Sequence, residues 1–249
     1  MAQLLPPNLP LYLYRYRSLA PKIGDDGRPR PVVTREIEAL RTPYLFCAAF
    51  ETMNDPMEGF YSPSRLLRRR DDYERIAREI YQGKVNVGIV SLSDTKENEL
   101  MWTHYAGNYS GICIEFYAGR LLSALPDTVD LIRMGYDDVP PRISGQDATS
   151  TDAAARKILS QKKFNWAYER EWRILGPLGQ VSVNSSDVVK SIYLGSRING
   201  LDRYSILEAF EKSAVDILEM DVDGYKHEWR PVQGPRFAKS KRSHRKNTR

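Results

Sequence analysis

Two glutamates separated by one position, Glu169 and Glu171, are the residues of this sequence whose types and spacing best suit chemistry. They stand in the string Tyr-Glu-Arg-Glu-Trp-Arg-Ile, which predicts a strand over residues 169–175. Because side chains alternate along a strand, Glu169, Glu171 and Arg173 would share one face. Burying two carboxylates and a guanidinium is costly unless they are paired. This face therefore either lines a cleft or meets solvent, where cross-strand ion pairs would be its only role.

Two further strings carry groups that could hold a ligand. Arg15 and Arg17 flank Tyr16 at the end of the first predicted strand. A guanidinium can bind a pyrophosphate with two hydrogen bonds, and an aromatic ring can pack on a ribose or a nicotinamide. Ser91 and Ser93 end a later strand with both hydroxyls on one side, where they could orient a carboxylate of a neighbouring strand. The plainer interpretations are solvated arginines and an ordinary turn after the strand.

The string Met-Trp-Thr-His-Tyr follows the two serines and supplies Trp102, His104 and Tyr105. A satisfied, partly buried histidine is the plainer interpretation of His104, and a catalytic one is the alternative. The three histidines of the chain are isolated, and its two cysteines lack the spacing of metal ligands. We therefore expect no metal site.

The elements that must position these strings are short strands interspersed with helices, without a regular strand-helix-strand alternation. Neither the glycine fingerprint of dinucleotide-binding folds nor a P-loop is present. The pattern favours an α+β domain with curved, mainly antiparallel sheets over a doubly wound parallel sheet. The predicted strands are residues 11–17, 44–50, 85–93, 111–116, 129–136, 169–175, 188–194 and 216–221, and the predicted helices are residues 35–41, 64–83, 98–105, 153–163 and 201–212.

The composition predicts a folded, cytoplasmic protein. Hydrophobic residues make up 41% of the 249 residues and charged residues 28%, which is typical of globular chains. No apolar run approaches the roughly 18 residues that span a membrane, and no basic residue precedes a hydrophobic run at the N-terminus. Cys47 and Cys113 lie inside apolar runs, which indicates two reduced, buried thiols in a reducing compartment.

The basic character of the chain is local. Residues 235–249 contain seven Lys or Arg and no acid, so subtracting seven from the formal charge of +5 leaves about −2 for the rest. We predict a single α+β domain over residues 1–234 and a basic, disordered tail over residues 235–249 that could contact nucleic acid. A tail without any binding role is the alternative.

Several strings, taken together and in order, resemble the bacterial domain-of-unknown-function family 2971. The resemblance spans roughly residues 11–195. The strings that carry it are Leu-Tyr-Leu-Tyr-Arg-Tyr-Arg-Ser-Leu at residues 11–19, Asn-Asp-Pro-Met-Glu at 54–58, Ser-Leu-Ser at 91–93, Met-Trp-Thr-His-Tyr-Ala at 101–106, Gly-Ile-Cys-Ile-Glu-Phe at 111–116 and Trp-Ala-Tyr-Glu-Arg-Glu-Trp-Arg-Ile at 166–174.

The layout is also similar to that of the ADP-ribosyltransferases. Their arginine class carries an Arg on an early strand, Ser-x-Ser on a middle strand and Glu-x-Glu on a late one. The resemblance implies split antiparallel sheets with flanking helices and NAD as substrate. It implies that Glu171 binds the ribose 2′-hydroxyl and stabilises the cationic sugar, while Glu169 orients or deprotonates the acceptor. Two departures are the missing Thr of the serine string and Glu169-Arg-Glu171 running directly into a strand rather than standing on a separate turn.

The same resemblance implies roles for the remaining candidates. Ser91 or Ser93 would fix Glu171, and a first-strand arginine would hold the pyrophosphate. The side chains that would contact the rest of NAD are then Arg15, Tyr16, Arg17, Trp102, His104 and Tyr105, with Tyr16, Trp102 or Tyr105 stacking on nicotinamide.

Three functions stay open from the sequence. The first is an NAD-dependent ADP-ribosyltransferase-like protein, such as a toxin or an anti-phage defence effector that modifies a protein or a nucleic acid. The second is a non-enzymatic module that binds nucleic acid or a partner through aromatic residues and the basic tail. The third is an NAD hydrolase, which would use the same residues as the first.

Overall fold

The computed structural model describes residues 8–23 and 26–233, and the structural statements below refer to these residues. The strands are β1 (Tyr12–Arg17), β2 (Lys22–Ile23), β3 (Pro29–Arg30), β4 (Tyr44–Ala49), β5 (Ser62–Pro63), β6 (Val87–Ser93), β7 (Ile112–Tyr117), β8 (Asp130–Arg133), β9 (Gly135–Asp137), β10 (Arg142–Ile143), β11 (Gln161–Lys163), β12 (Glu171–Pro177), β13 (Gly179–Ser182), β14 (Val189–Leu194), β15 (Asp216–Asp223) and β16 (Lys226–Gln233). The α-helices are α1 (Val32–Arg41), α2 (Arg65–Arg68), α3 (Tyr73–Val85), α4 (Glu99–Tyr105), α5 (Ala118–Ala124), α6 (Thr151–Leu159) and α7 (Gly200–Ala209). Short 3-10 turns cover Phe50–Thr52, Asp147–Thr149 and Phe164–Glu169.

The described residues group into two compact units. Unit 1 comprises Tyr44–Ser93 and Leu125–Ser182. Its main sheet is wholly antiparallel, in the order β13-β4-β6-β12-β8. Two short parallel pairs, β5 with β10 and β9 with β11, lie outside this sheet.

Helices α3 and α6 of unit 1 pack closely on each other. A Cβ atom added at Gly83 of α3 would lie 3.1 Å from the Cβ of Ala155 on α6, so glycine allows the close approach. Ile76 and Ile80 stand at helical spacing and point into an apolar cluster that they share with Ile158 of α6. A second cluster joins Leu159 to the sheet residues Val87, Ile89 and Leu175.

Unit 2 comprises Asn8–Pro43, Asp94–Ala124 and the described chain from Val183 onward. Its sheet has the order β1-β7-β14-β15-β16, and only the β14–β15 pair is parallel. The helices of this unit are α1, α4, α5 and α7, of which α1 and α7 contact each other. Asn98 caps the N-terminus of α4, since its side chain accepts hydrogen bonds from the backbone amides of Leu100 and Met101, and the predicted helix over 98–105 is confirmed to within one residue.

The predicted α+β class with mainly antiparallel sheets is confirmed. Cys47 and Cys113 are both buried and free, as predicted. No helix of the described chain is long and apolar enough to cross a membrane. The single domain over 1–234 stays a prediction, and the predicted tail at residues 235–249 lies outside the described residues.

Several predicted elements were wrong in detail. The helix predicted over 153–163 ends at Leu159 as α6, and residues 161–163 form β11 instead. The long helix over 64–83 divides into α2 and α3, because the guanidinium of Arg70 binds Asp72 within a local turn. The strand over 129–136 divides into β8, which pairs with β12, and β9, which pairs with β11. The strand predicted from Glu169 begins only at Glu171. Strands β13 and β16 were not predicted.

Candidate functional site

Five charged side chains of unit 1 form a buried cluster. Their exposed fractions are 1% for Glu58, 6% for Lys162, 3% for Glu169, 4% for Glu171 and 0% for Arg173. The Nζ of Lys162 lies 2.7 Å from Glu169, 3.6 Å from Glu171 and 3.9 Å from Glu58. One cation therefore faces all three carboxylates.

Arg173 ties two of these carboxylates together. Its Nε and Nη2 donate to the two carboxylate oxygens of Glu171 at 2.8 and 3.2 Å. Nη2 also contacts the carboxylate of Glu58, and Nη1 donates to the backbone carbonyl of Leu159 at 2.8 Å. These contacts use four of the five N–H groups of the guanidinium, whose side chain is fully buried.

The local backbone explains why the glutamates meet. Glu171 and Arg173 stand two residues apart on β12 and share a face, as predicted. Glu169 ends the 3-10 turn before the strand, and Arg170 between the two glutamates has a left-handed backbone with φ of 47°. This kink turns Glu169 off the strand and onto Lys162, so the prediction that all three side chains lie on one strand face was wrong for Glu169.

The two serines contact the two glutamates, because β6 and β12 are antiparallel neighbours. Ser93 is paired in register with Glu171, and Ser91 with Arg173. The hydroxyl of Ser93 donates to the backbone carbonyl of Glu169 at 2.7 Å. The hydroxyl of Ser91 hydrogen-bonds the Glu171 carboxylate. Since Ser91 is exposed, the Glu171 carboxylate lies one hydrogen bond from solvent.

The pKa values of two carboxylates in the cluster are shifted in opposite directions. Burial raises the pKa of Glu171, but the charges of Arg173 and Lys162 outweigh it and lower that pKa to about 2. For Glu58, burial is the largest effect, and its pKa is raised even though Arg173 and Lys162 act in the opposite direction. Three carboxylates face two cations, so the fully ionised cluster carries one negative charge in excess.

Tyr136 completes the surroundings of Glu171. Its hydroxyl accepts a hydrogen bond from the backbone amide of Glu171 at 2.8 Å. Burial raises the pKa of this hydroxyl, and the nearby charges of Glu171 and Glu169 add to that effect. Tyr136 therefore stays neutral and fixes the start of β12.

The predicted pyrophosphate-binding residues lie in unit 2. Arg17 donates from Nε and Nη2 to the two carboxylate oxygens of Glu36, at 3.0 and 2.6 Å. Burial raises the pKa of Glu36, but Arg17, with a further contribution from Arg15, lowers it below its usual value. Arg17 already holds a carboxylate in the geometry that a phosphate would use, so binding a pyrophosphate would require it to exchange partners.

The predicted stacking residues also lie in unit 2. Tyr16 and Trp102 are buried, with their rings edge to face at 5.3 Å between centroids. Trp102 also stacks on Tyr109 at 6.1 Å. Tyr105 is half-buried and His104 is exposed, with their rings in contact. Stacking on nicotinamide stays a prediction for all of the proposed rings.

Sequence reasoning missed three members of the cluster. Glu58 was noted only as the end of a string, Arg173 only as a neighbour on the strand face, and Lys162 was not noted. Glu58 gave no signal because it lies far before Arg173 in the chain, and Lys162 gave none because it fell inside a predicted helix. Among the described residues, no group of three or more His, Cys, Asp or Glu side chains is arranged to hold a metal ion.

A buried carboxylate outside the cluster, Glu115 of β7 in unit 2, has a different environment. It accepts hydrogen bonds from Lys190 at 2.8 Å, Tyr193 at 2.9 Å and Tyr14 at 3.1 Å. Burial raises its pKa, but the hydrogen bonds from Lys190, Ser191 and Tyr193, together with the charge of Lys190, outweigh this, so the pKa is lowered. These three partners are all donors, which is typical of a satisfied structural acid.

Comparison with known proteins identifies one family. Residues 101–174 match the model described as "Protein of unknown function (DUF2971)", which confirms the predicted family resemblance over that segment. The segment contains Lys162, Glu169, Glu171 and Arg173, whereas Glu58 precedes it. No curated protein and no solved structure matches the chain.

Proposed function

We propose that this chain, whose residues 101–174 match the DUF2971 family model, cleaves the nicotinamide–ribose bond of NAD and transfers the ADP-ribosyl group, in the manner of an ADP-ribosyltransferase. The observation that carries the proposal is the contact between Ser-x-Ser and Glu-x-Glu. Ser91 bonds the carboxylate of Glu171, and Ser93 bonds the backbone of Glu169. The first of these is the positioning contact that the resemblance implies.

The turn at Glu169 supports the same proposal. One of the two departures from the ADP-ribosyltransferase pattern was a Glu-x-Glu that runs directly into a strand. In the fold, Glu169 stands on a 3-10 turn and Glu171 begins the strand, so that departure is removed. The missing Thr of the serine string remains.

The electrostatics of the cluster suit the reaction. Breaking the bond between ribose C1′ and the nicotinamide nitrogen leaves the electron pair on nicotinamide and a positive charge on the sugar. An ionised carboxylate nearby lowers the energy of that cation. With a pKa of about 2, Glu171 is ionised throughout the physiological range. The acceptor then attacks C1′ and loses its proton to a base or to solvent.

Hydrolysis of NAD is a second candidate, and the environment of Glu169 favours it. The side chain of Glu169 is 3% exposed and is paired with Lys162 at 2.7 Å. A carboxylate held in this way is poorly placed to contact an acceptor on another macromolecule, whereas a water molecule needs little space. The two reactions share their first step and differ only in the acceptor.

The experiment is to follow nicotinamide release from NAD by the wild-type chain and by two variants. Glu171→Gln should lower the rate at least a hundredfold, because the charge that stabilises the sugar cation is lost. Glu115→Gln is the matched control, since it replaces another buried, ion-paired glutamate and should leave the rate within about twofold. Analysis of the products then separates transfer from hydrolysis, because hydrolysis yields free ADP-ribose.

A further inference from the structure

Glu58 is held inside the cluster by a loop that is fixed on both sides. Its backbone amide donates to the carbonyl of Asp55 at 3.0 Å, and the Asp55 side chain accepts from the amide of Met57 at 2.9 Å. On the other side, the buried Lys84 donates from Nζ to the carbonyl of Gly59 at 2.9 Å. These bonds hold a carboxylate with 1% exposure against Arg173.

The groups that face Glu58 do not balance its charge. Arg173 and Glu171 lie on β12, Lys162 lies on β11, and Glu169 lies on the turn between them. Lys162 bonds Glu169, and Arg173 contacts both Glu171 and Glu58, so two cations serve three carboxylates. One negative charge is in excess, and Glu58 is the carboxylate of the cluster whose pKa is raised. In a buried site an excess negative charge attracts a cation.

We infer that Glu58 sets the net charge of the cluster and so makes it select a ligand whose bound group is a cation, namely the pyridinium ring of oxidised NAD. This rests on the proposed function. Glu58 acts here as a positioning and charge-setting residue, because with 1% exposure it does not itself touch the ligand. The reduced form of the cofactor carries a neutral ring and gains nothing from this charge.

The inference implies a dependence on pH with a definite sign. The pKa of Glu58 is raised, so on acidification Glu58 takes up a proton before Glu171 does. Protonation of Glu58 removes the excess charge while the bonds of Arg173 and Lys162 to Glu171 and Glu169 remain. The preference for a cation should therefore fall as the pH falls, whereas affinity for a neutral ligand should not.

The test uses two probes that differ only in charge, 1-methylnicotinamide and neutral nicotinamide. Their affinities are measured by ligand-observed NMR with the full chain, as wild type, Glu58→Gln and Glu115→Gln. We expect the wild type to prefer the cation by roughly tenfold and Glu58→Gln to reduce that ratio to about one. Glu115→Gln is the matched control, because it changes a buried, ion-paired acid to an amide outside the cluster, and should keep the ratio.

The inference would be overturned if Glu58→Gln lost affinity for both probes equally or kept the wild-type ratio of the two affinities. It would also be overturned if neither probe bound the wild type. If Glu58→Gln does not fold, the ratio in the wild type between pH 8 and pH 5 decides, and a constant ratio counts against the role of Glu58. The result is separable from the proposed function. If the wild type prefers the cation but releases no nicotinamide, the role of Glu58 stands and the proposed enzymatic function is contradicted. If it releases nicotinamide without preferring the cation, the enzymatic function stands and the role of Glu58 is contradicted.

Discussion

Arg173 has no exposed side-chain surface, yet it carries a charge in the interior of unit 1. Its stability there depends on Glu171, Glu58 and the Leu159 carbonyl together. Removing one partner of a buried ion pair typically costs about 3–5 kcal/mol, because the other charge is left without compensation. In this cluster a second carboxylate remains on Arg173, so Glu171→Gln should still fold.

The pH dependence of stability provides a prediction at this scale. The pKa of Glu171 is lowered from 4.5 to about 2 in the folded chain. Its stabilising contribution is therefore full above pH 4.5 and is lost as the pH falls towards 2, by an amount on the order of 3 kcal/mol. Urea unfolding of the wild type and Glu171→Gln between pH 6 and 2 measures this. The variant should show the shallower decline, and parallel curves would contradict the assignment.

Glu58 acts in the opposite direction. Because its pKa is raised, its protonated form is favoured in the folded chain, and its contribution is present below pH 4.5 and is lost as the pH rises through the raised value. Neutralising Glu58 is thus not expected to cost stability at pH 7. This is the reason that Glu58→Gln is a usable variant.

At the scale of elements, the passage from the turn Phe164–Glu169 into β12 decides how the two glutamates are used. The alternation of the sequence predicted that Glu171 and Arg173 share a face, and they do. It could not predict that Glu169 leaves the strand, because the left-handed residue is Arg170 and not a glycine or an asparagine, which are the usual signals.

The left-handed backbone of Arg170 can be tested by substitution. Glycine adopts this conformation readily and a β-branched residue does not, so Arg170→Gly should be more stable than Arg170→Val by about 1–2 kcal/mol. Arg78 is the control, since it is an exposed arginine inside α3. There the order should reverse, because glycine is the poorer helix former. Chemical denaturation of the four variants measures both differences in the free energy of unfolding. If the glycine variant were the more stable one at both positions, or the valine variant at both, a left-handed backbone at Arg170 would be contradicted.

Most strands followed from local pattern, and the failures have physical causes. Strands β4, β7 and β14 are apolar runs of about the predicted length. Strand β16 was missed because its sequence is charged and contains Pro231, which is compatible only with the edge of a sheet. The break between α2 and α3 was missed because Arg70 and Asp72 both tolerate a helix, and the residues between the two helices include neither glycine nor proline.

At the scale of the whole molecule, the residues implied by the resemblance fall in two units. The serines and glutamates belong to unit 1, and Arg15, Tyr16, Arg17 and the aromatic string belong to unit 2. Each unit is assembled from separate segments of the chain. Order along the sequence therefore could not show which candidates share a unit, and pairing of β6 with β12 is what joins the serines to the glutamates.

The basic tail is the feature that the nucleic-acid alternative depends on. Seven Lys or Arg within residues 235–249 would release counterions from a phosphate backbone, so deleting them should weaken binding of a single-stranded oligonucleotide and flatten its salt dependence. Nicotinamide release should stay unchanged. Fluorescence anisotropy at several salt concentrations measures the first effect. If the deletion abolished nicotinamide release, the tail would belong to the enzyme rather than to a separate contact.

The release of nicotinamide from NAD, compared between the wild type and Glu171→Gln, tests the central claim most directly. The account predicts steady release by the wild type that is lost in Glu171→Gln and kept in Glu115→Gln, with all three chains folded. Absence of release by the wild type, or equal release by Glu171→Gln, would contradict the claim that this cluster acts on NAD.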